Sequence, residues 1–227
     1  LFYHLPHAIL AAIIMVAVAG LIDVAYVTEL WRTNKIEFGL LMATFLVTLQ
    51  FSMVLGIVTG IILSILILLY KAANPHMAIL GRVKGMSQFR NLKRFKDMET
   101  WPLLMVIRVD APFAFVNIQT IKDKILNEVQ EREGELKYVI IDAASVAYID
   151  ATGVIGLRDM LDMLSEKGVK LLFAEVIGPV RDAFYKNKLI GNDEKAFFFL
   201  TTDDAVSYCL SGEYQEDKAH LVRQTNL

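Results

Sequence analysis

One short segment of the sequence combines hydroxyl and carboxylate side chains in the spacing D-x-x-S-x-x-x-x-D-x-T-G. Its candidate functional residues are Asp142, Ser145, Asp150, Thr152 and Gly153. An apolar run precedes the segment and a helical pattern follows it, so the segment is expected to join a strand end to a helix start. The first turn of a helix offers free N–H groups and the positive end of the helix dipole. This chemistry suits a bound anion or a phosphorylated hydroxyl.

A purely structural interpretation explains the same residues. Asp150 or Thr152 can cap the helix, and Ser145 can occupy a turn. Gly153 lets another backbone, or a kinase, approach closely. From the residues alone, this structural interpretation is favoured over a regulatory site.

Patterns that would indicate catalysis or a bound cofactor do not occur elsewhere in the sequence. The four histidines, His4, His7, His76 and His220, are scattered along the chain. Walker A, G-x-G-x-x-G, zinc-ligand and nucleophile-elbow patterns are missing. The single cysteine, Cys209, excludes an internal disulfide framework. We therefore predict that the protein is not an enzyme and has no catalytic residues, no metal site and no cofactor.

The elements that position the candidate segment alternate between strands and helices after Trp101. Strand patterns occur at 103–109, 113–115, 138–141, 169–174 and 197–200, and helical patterns at 118–132, 152–166, 179–187 and 203–210. Gly168 is expected to end the second of these helices. Such alternation predicts an α/β domain with a mostly parallel or mixed sheet covered by helices.

The N-terminal part of the chain is far more apolar and predicts transmembrane helices. No Asp, Glu, Lys or Arg occurs from Leu1 to Ile22, and a second uncharged run extends from Phe38 to Tyr70. The first run is long enough for one membrane-spanning helix. As a single helix the second would measure roughly 50 Å, against a hydrocarbon core of about 30 Å. We therefore predict a hairpin of two helices that turns near 50–52, and about three transmembrane helices in all.

Basic residues flank the second apolar run on both sides. Arg32 and Lys35 precede it, in a predicted loop at 31–35, and a basic stretch that begins at Lys71 follows it. The positive-inside rule places both flanks in the cytoplasm, which requires an even number of crossings between them. The basic stretch could also bind anionic lipid headgroups, or it could serve only to fix the orientation.

Gly56 and Gly60 form a G-x-x-x-G pattern inside the second apolar run. The pattern is frequent by chance in membrane helices. We nevertheless interpret it as a close contact between two helices, without assuming dimerisation.

Composition divides the chain into three parts. Residues 1–71 are predicted to be the C-terminal transmembrane helices of a larger protein, 72–100 a basic cytoplasmic linker, and 101–227 a folded α/β domain. The chain begins inside an apolar stretch, without an initiator Met, which we interpret as a truncation.

This order of elements resembles the C-terminal end of the sulfate permease (SulP) family of anion transporters. The segments that carry the resemblance are LPHAILAAIIMVAVAGLI, LWRTNKIEFGLLMATF, GIVTGIILSILILLYKAANPHMAILGRV, VDAPFAFVN and VIIDAASVAYIDATG. The resemblance implies that residues 101–227 are a STAS domain, similar to bacterial anti-sigma factor antagonists. It also implies an inverted-repeat transporter with alternating access, of which this chain holds the last helices.

The resemblance also implies which residues and partners matter. Substrate contacts in the family come mainly from earlier helices, so no substrate-binding residue is expected in this chain. Thr152 matches the position at which anti-sigma factor antagonists are phosphorylated. The implied partners are the missing N-terminal transmembrane helices of the same protein, membrane lipids, a second copy in a homodimer, and a regulatory protein or kinase at the loop. Nucleic acid is not expected.

The function implied is secondary-active transport of an inorganic anion of the sulfate or bicarbonate type. The protein would be a multi-pass protein of the plasma (inner) membrane, with a cytoplasmic regulatory STAS domain. The alternative is a membrane-tethered STAS signalling module, similar to an anti-sigma factor antagonist, without transport activity. Sequence upstream of Leu1 would discriminate: further helices favour the transporter, and a start codon directly before Leu1 favours the module.

Overall fold

A computed structural model of the protein describes residues 7–21, 23–132, 134–189 and 196–211. The chain forms two compact units that divide between Leu68 and Leu69. The first unit is helical and the second is an α/β unit. Predictions that fall on His4 and His220 lie outside the described residues.

Four helices make up the N-terminal part of the chain: α1 (His7–Ala19), α2 (Val24–Thr33), α3 (Lys35–Gln50) and α4 (Met53–Ala73). Two helical stretches, Ile9–Thr33 and Met53–Ala73, are long and apolar enough to cross a membrane. At about 1.5 Å per residue, α4 measures roughly 31 Å, which matches a hydrocarbon core of about 30 Å. Most of the apolar side chains on these helices are exposed in this chain alone. Helices whose neighbours are lipid or further helices have this property.

The predicted hairpin and its turn are confirmed. Helix α3 ends at Gln50, and the Phe51 N–H donates to Val47 O at 3.0 Å. The Ser52 hydroxyl oxygen then accepts from Leu55 N at 3.3 Å and caps the first turn of α4. The change of direction therefore takes place within residues 51–52.

The close helix contact predicted at Gly56 and Gly60 is also confirmed, and it lies inside the hairpin. A Cβ atom at Gly60 would lie 2.8 Å from Thr44 Cγ2, and one at Gly56 would overlap the Thr48 side chain. Both threonine hydroxyls donate to carbonyls of their own helix, to Leu40 O at 3.0 Å and to Thr44 O at 2.8 Å. The two antiparallel helices thus pack closely without an unsatisfied polar group between them.

The segment 31–35, predicted as a loop, is helical except at Asn34. Asn34 Oδ1 accepts from the N–H groups of Ile36 at 3.2 Å and Glu37 at 3.3 Å, and Asn34 Nδ2 donates to Glu37 Oε1 at 2.6 Å. These bonds form a capping arrangement that starts α3 directly after α2 ends. One residue is therefore enough to separate the two helices.

The α/β unit contains seven strands and four helices among its described residues: β1 (Met77–Val83), β2 (Phe89–Asn91), β3 (Met98–Glu99), β4 (Leu104–Val109), α5 (Ile118–Glu131), β5 (Tyr138–Asp142), α6 (Ala151–Glu166), β6 (Lys170–Ala174), α7 (Gly178–Lys186), β7 (Ala196–Phe199) and α8 (Thr202–Ser211). The strand order is β2-β1-β4-β5-β6-β7, with β3 also paired to β1. Strands β4 to β7 are parallel, whereas β1 pairs antiparallel with β4. This is the mixed sheet that the sequence predicts, and Gly168 follows α6 with a φ of 71° as expected of a C-terminal glycine.

The segment 72–100, predicted as a linker, contributes three strands to this sheet. Strand β1 pairs with β4 from Met77 opposite Val109 to Leu80 opposite Val106. Strands β2 and β3 pair with β1. These residues therefore belong to the α/β unit. The segment has many basic residues between short apolar runs, and for this reason its composition predicts a linker instead of strands.

The strand predicted at 113–115 is instead a turn that leads into α5. Phe113 forms an isolated bridge with Ile149 and lies outside the described strands. The Ala114 N–H donates to Asn117 Oδ1 at 3.1 Å, and the Ala114 carbonyl accepts from Ile118 N at 2.9 Å. These local bonds compete successfully with strand pairing.

Side chains alternate along each strand, so the sheet has apolar side chains on both faces, and helices cover both faces. One face packs against α5, α6 and α7, and its core includes Val139, Leu157 and Phe173. The other face packs against α8, with Ile140 and Leu172 at its centre. Covering both faces explains why β5 reads as a continuous apolar run.

The Cys209 thiol lies in the second core, on α8, and burial raises its pKa to about 12. Ionisation near 12 instead of near 9 lowers the thiolate concentration at pH 8 by about a thousandfold. We therefore predict that a thiol-alkylating reagent labels the folded protein at pH 8 at least about a hundred times more slowly than the protein in urea. Mass spectrometry of the labelled chain checks this. Rapid labelling without denaturant would contradict the buried position.

Candidate functional site

The candidate site is the loop that joins β5 to α6, residues 143–150, together with the first turn of α6. The Ala143 N–H donates to Ala174 O at 2.9 Å, which fixes the start of the loop against the end of β6. Val146 is fully buried, and its N–H donates to Ala143 O at 3.0 Å. Ser145 is exposed in this turn, and the sequence predicts a turn at this residue.

Asp150 is the N-cap of α6 and also holds a second loop. Its Oδ1 accepts from Gly153 N at 2.7 Å, and its Oδ2 accepts from Phe115 N at 2.8 Å. Its own N–H donates to Phe113 O at 3.0 Å. One carboxylate therefore satisfies a free N–H of the helix start and ties that start to the turn before α5.

Replacing Asp150 with alanine removes both acceptor oxygens. We expect this change to lower the free energy of unfolding by about 2 kcal/mol, since a lost N-cap costs about 1 kcal/mol and a lost hydrogen bond to a charged group a comparable amount. Asp150→Asn keeps one acceptor oxygen, so it should lose about half as much. Urea unfolding, followed by pulse labelling of Cys209, measures both variants. Equal stability of Asp150→Ala and the unsubstituted chain would contradict the double role.

Gly153 allows the start of α6 to touch another backbone segment. A Cβ atom at this position would overlap the carbonyl oxygen and carbon of Phe113 and would lie 3.1 Å from Ile149 Cγ1. The Phe113 side chain is fully buried, so its backbone is held in place. The structure thus brings together Asp150 and Gly153, which the sequence singled out, with Phe113, which it assigned to a strand.

Thr152 is exposed on the first turn of α6. Three large apolar side chains close to the same loop are also exposed: Phe115 at 71%, Tyr148 at 54% and Ile155 at 57%. An exposed hydroxyl at a helix start, beside exposed aromatic groups, is a surface that another protein can contact.

Asp142 lies at the end of β5 and is partly buried. Burial raises the pKa of this carboxyl, although a hydrogen bond from the Ala144 N–H (3.1 Å) and the positive charge of Arg108 act in the opposite direction. Arg108 stands opposite Asp142 in the β4–β5 register. The Asp142 carboxylate therefore holds the beginning of the loop through the Ala144 N–H.

A second cluster, which the sequence patterns do not indicate, lies at the ends of β1 and β4. Asp110 accepts from Arg108 Nε at 2.7 Å and contacts His76 Nδ1 at 2.7 Å. Burial alone would raise the pKa of Asp110, but the hydrogen bonds from Arg108 and His76 outweigh it and lower that pKa. The Lys124 ammonium also donates to Pro75 O at 3.3 Å. These bonds attach residues 75–76, shortly after α4, to the α/β unit. The apolar segment MAIL directly after His76 is the sequence pattern that could have indicated a strand here.

The arrangement of the site suits capping, positioning and protein contact. Within the described parts of the chain, no group of three or more His, Cys, Asp or Glu side chains could hold a metal ion. Asp142 is the last residue of β5, and Ser145, Asp150, Thr152 and Gly153 follow in the loop and the first turn of α6, so all five lie in one succession of strand end, loop and helix start, as the sequence predicts. Their role in regulation stays a prediction.

A mixed sheet with β4 to β7 parallel, helices on both faces and a capped loop after β5 is the architecture expected of a STAS-type domain, here preceded by membrane-type helices. Comparison with protein families agrees with both halves. The STAS domain model matches residues 95–205, and the sulfate permease family model matches residues 1–44. The chain belongs to the sulfate permease (SulP) family, and its C-terminal part contains a STAS domain.

Plant sulfate transporters are among its relatives. The chain is 30% identical over 219 residues to "Probable sulfate transporter 4.2" of Arabidopsis thaliana, an alignment that covers 92% of this chain and 32% of that protein. It is 31% identical over 219 residues to "High affinity sulfate transporter 2" of Stylosanthes hamata, covering 91% of this chain and 32% of that protein. The chain thus spans about a third of the length of the curated relatives it matches.

A solved structure shows a similar fold. The murine Solute Carrier 26 family member A9 (Slc26a9) anion transporter, in the inward-facing state, superposes with a TM-score of 0.72 at 18% identity. The superposition covers 81% of this chain and 30% of that protein. At this identity the likeness is one of fold.

Proposed function

We propose that this chain is the C-terminal part of a secondary-active transporter of inorganic anions, of the sulfate or bicarbonate type, with a regulatory STAS domain. The observation that carries the proposal is the match of one chain to both family models, the sulfate permease model at 1–44 and the STAS model at 95–205. The relatives named as sulfate transporters support the substrate class. In this proposal, residues 1–71 are the last transmembrane helices. Residues 101–227, together with β1 to β3, form the STAS domain.

Transport by the full-length protein tests this proposal. The protein encoded with its upstream sequence is reconstituted in liposomes, and uptake of labelled sulfate, bicarbonate and other small anions is measured. We expect uptake of at least one of them above that of protein-free liposomes. Liposomes with only the present chain are the matched control and should show none, because the family's substrate contacts come mainly from earlier helices. Absence of uptake for every anion tested would contradict the transport function.

The orientation that we propose places the STAS domain in the cytoplasm and the helices in the plasma (inner) membrane. Arg32 and Lys35 before the hairpin and Lys71 after it support this orientation through the positive-inside rule. We further propose that the protein works as a homodimer together with its N-terminal helices and membrane lipids. Protease digestion of sealed, oriented vesicles tests the side: the STAS domain should be cleaved only from the cytoplasmic face.

The loop at 142–153 is, in this proposal, the contact site of a regulatory protein or kinase. The exposed Thr152 hydroxyl on the first turn of α6 and the exposed Phe115, Tyr148 and Ile155 side chains support it. A phosphate adds about −1.5 to −2 charges at pH 7, which the positive end of α6 would favour.

A labelling experiment tests the phosphorylation site. A cell extract of the source organism with labelled ATP should phosphorylate the protein and its Thr152→Ser variant, and Thr152→Ala should abolish the label. Ser145→Ala is the matched control, because Ser145 is an exposed hydroxyl in the same loop. Unchanged labelling of Thr152→Ala would reject Thr152 as the site.

A further inference from the structure

The turn between β2 and β3 carries four consecutive exposed residues, of which three are cations and one is aromatic. These are Lys93, Arg94, Phe95 and Lys96, here named the KRFK turn. Phe95 is 49% exposed. An exposed ring between three cations gives the turn both an electrostatic and an apolar component.

Backbone hydrogen bonds fix the shape of the KRFK turn. Asn91 Oδ1 accepts from Lys93 N at 2.8 Å, and Asn91 O accepts from Arg94 N at 3.0 Å and Phe95 N at 3.1 Å. The Leu92 N–H donates to Ile79 O on β1 at 3.1 Å. The turn therefore presents its side chains from a defined backbone, and little backbone conformational entropy remains to be lost on binding.

The cations of the turn have no acidic partners within the described parts of the chain. Residues 82–99 contain six basic and two acidic residues. The acidic Glu99 pairs with Arg82 at 2.8 Å, and Arg82 also contacts Asp203 at 3.3 Å. Among the ion pairs of the described residues none includes Lys93, Arg94 or Lys96. Their positive charge is therefore available to an external anion.

The KRFK turn is anchored to a strand that closely follows the last apolar helix in the sequence. Ile79, which holds the turn, follows the last residue of α4, Ala73, by six residues. Six extended residues span at most about 21 Å. Lys71, in the last turn of α4, adds a further cation close to the helix end. Basic clusters that closely follow a membrane helix attract anionic headgroups, and this attraction acts over about a Debye length, roughly 10 Å at 0.1 M salt.

We propose that the KRFK turn binds anionic phospholipid headgroups of the same bilayer that α4 spans, with the Phe95 ring entering the interface. The proposal rests on the membrane placement of α4 in the proposed function. Its phosphate-bearing ligand is the lipid surface, because Phe side chains next to Lys and Arg are typical of interfacial segments, in which the ring enters the boundary between headgroups and acyl chains. The turn would then tie the α/β unit to the membrane in a lipid-dependent way.

Lipid nanodiscs test the proposal with the full chain. A polarity-sensitive fluorophore is attached to Phe95→Cys in a Cys209→Ala background, and the chain is placed in discs of phosphatidylcholine alone or mixed with phosphatidylglycerol. We expect a blue-shifted emission and a several-fold lower quenching by an aqueous quencher only in the anionic discs. High salt should reverse both effects. The same fluorophore at Met163→Cys, an exposed position on α6, should respond equally in both discs.

Charge-reversed variants show whether the KRFK turn causes the effect. Lys93→Glu, Arg94→Glu and Lys96→Glu together should abolish the blue shift. Lys167→Glu with Lys170→Glu, exposed cations elsewhere in the unit, should leave it unchanged.

Three results would overturn the proposal. These are equal emission in both discs, a shift that persists in the charge-reversed turn, and a shift produced by an acidic protein or nucleic acid but not by anionic lipid. Failure of the chain to enter either disc would overturn the membrane placement of α4, and this proposal with it. Incorporation without a shift overturns only the role of the KRFK turn.

Discussion

Gly153→Ala is expected to destabilise the α/β unit by about 3 kcal/mol, although alanine is the better helix former by about 1 kcal/mol. The added Cβ overlaps the Phe113 carbonyl, which is backbone and already accepts from Asp150 N at 3.0 Å. Relief requires α6 to move away from the turn before α5. That movement breaks this hydrogen bond and strains the bond from Gly153 N to Asp150 Oδ1. The cost of the steric overlap is therefore larger than the gain in helix propensity from glycine to alanine.

The matched control is Gly178→Ala, at the first position of α7. A Cβ atom there meets nothing within 4 Å, and Gly178 does not have a positive φ. This variant should be neutral or more stable by up to about 1 kcal/mol. Urea unfolding of the full chain in detergent, followed by pulse labelling of Cys209, compares the two. If both variants unfold at the same urea concentration, the close approach of α6 to Phe113 is wrong.

The local contacts of the site could be predicted from the sequence, whereas its contacts with Phe113 and Phe115 could not. Asp150, Thr152 and Gly153 are local to one helix start, so capping chemistry and spacing were enough to predict their position. Phe113 and Phe115 lie far earlier in the chain, and their backbone contacts with residues 148–153 depend on the packing of α5 beside α6. Such long-range contacts leave no periodicity in a single sequence.

The same distinction holds for the sheet. The parallel strands β4 to β6 were predicted because each is a run of buried apolar residues on both faces. Strands β2 and β3 were missed because they are only three and two residues long and lie at the edge of the sheet, where basic residues are frequent. Strand β1 has partners on both sides, but it was missed because only three of its seven residues are buried and its apolar run is interrupted by Gly81 and Arg82. His76 and Asp110 were missed for a related reason, since only the antiparallel β1–β4 pairing brings them within 2.7 Å.

Local signals worked better in the helical part. The break at 51–52 followed from the length of the apolar run against the thickness of a bilayer, and the structure has it at that position. The helical character of 31–33 was missed because charged residues suggested a loop. Charge marks the end of a membrane-buried stretch, whereas a helix ends only where its backbone bonds end, here at Asn34.

The hairpin contact leads to the second large effect, which we expect from Gly56→Ala. The added Cβ would overlap Thr48 Oγ1 and lie 3.2 Å from Thr48 Cα, so α3 and α4 must separate. Overpacking of this kind costs about 2–3 kcal/mol. Gly39→Ala on α3, where a Cβ atom meets nothing within 4 Å, is the matched control and should have little effect.

A compensating substitution makes this test specific. In the double variant Gly56→Ala with Thr48→Gly, the side-chain volume moves from α3 to α4, so the overlap with the Thr48 side chain disappears. The double variant should therefore recover most of the stability lost by Gly56→Ala, with a coupling energy of about 1–2 kcal/mol in the double-mutant cycle. Reversible unfolding of the chain in detergent with increasing dodecyl sulfate, monitored by far-UV circular dichroism, gives the free energy of unfolding of each variant. If the two substitutions change the free energy of unfolding additively, Gly56 and Thr48 are not in contact, and the packing of α3 against α4 described above is wrong.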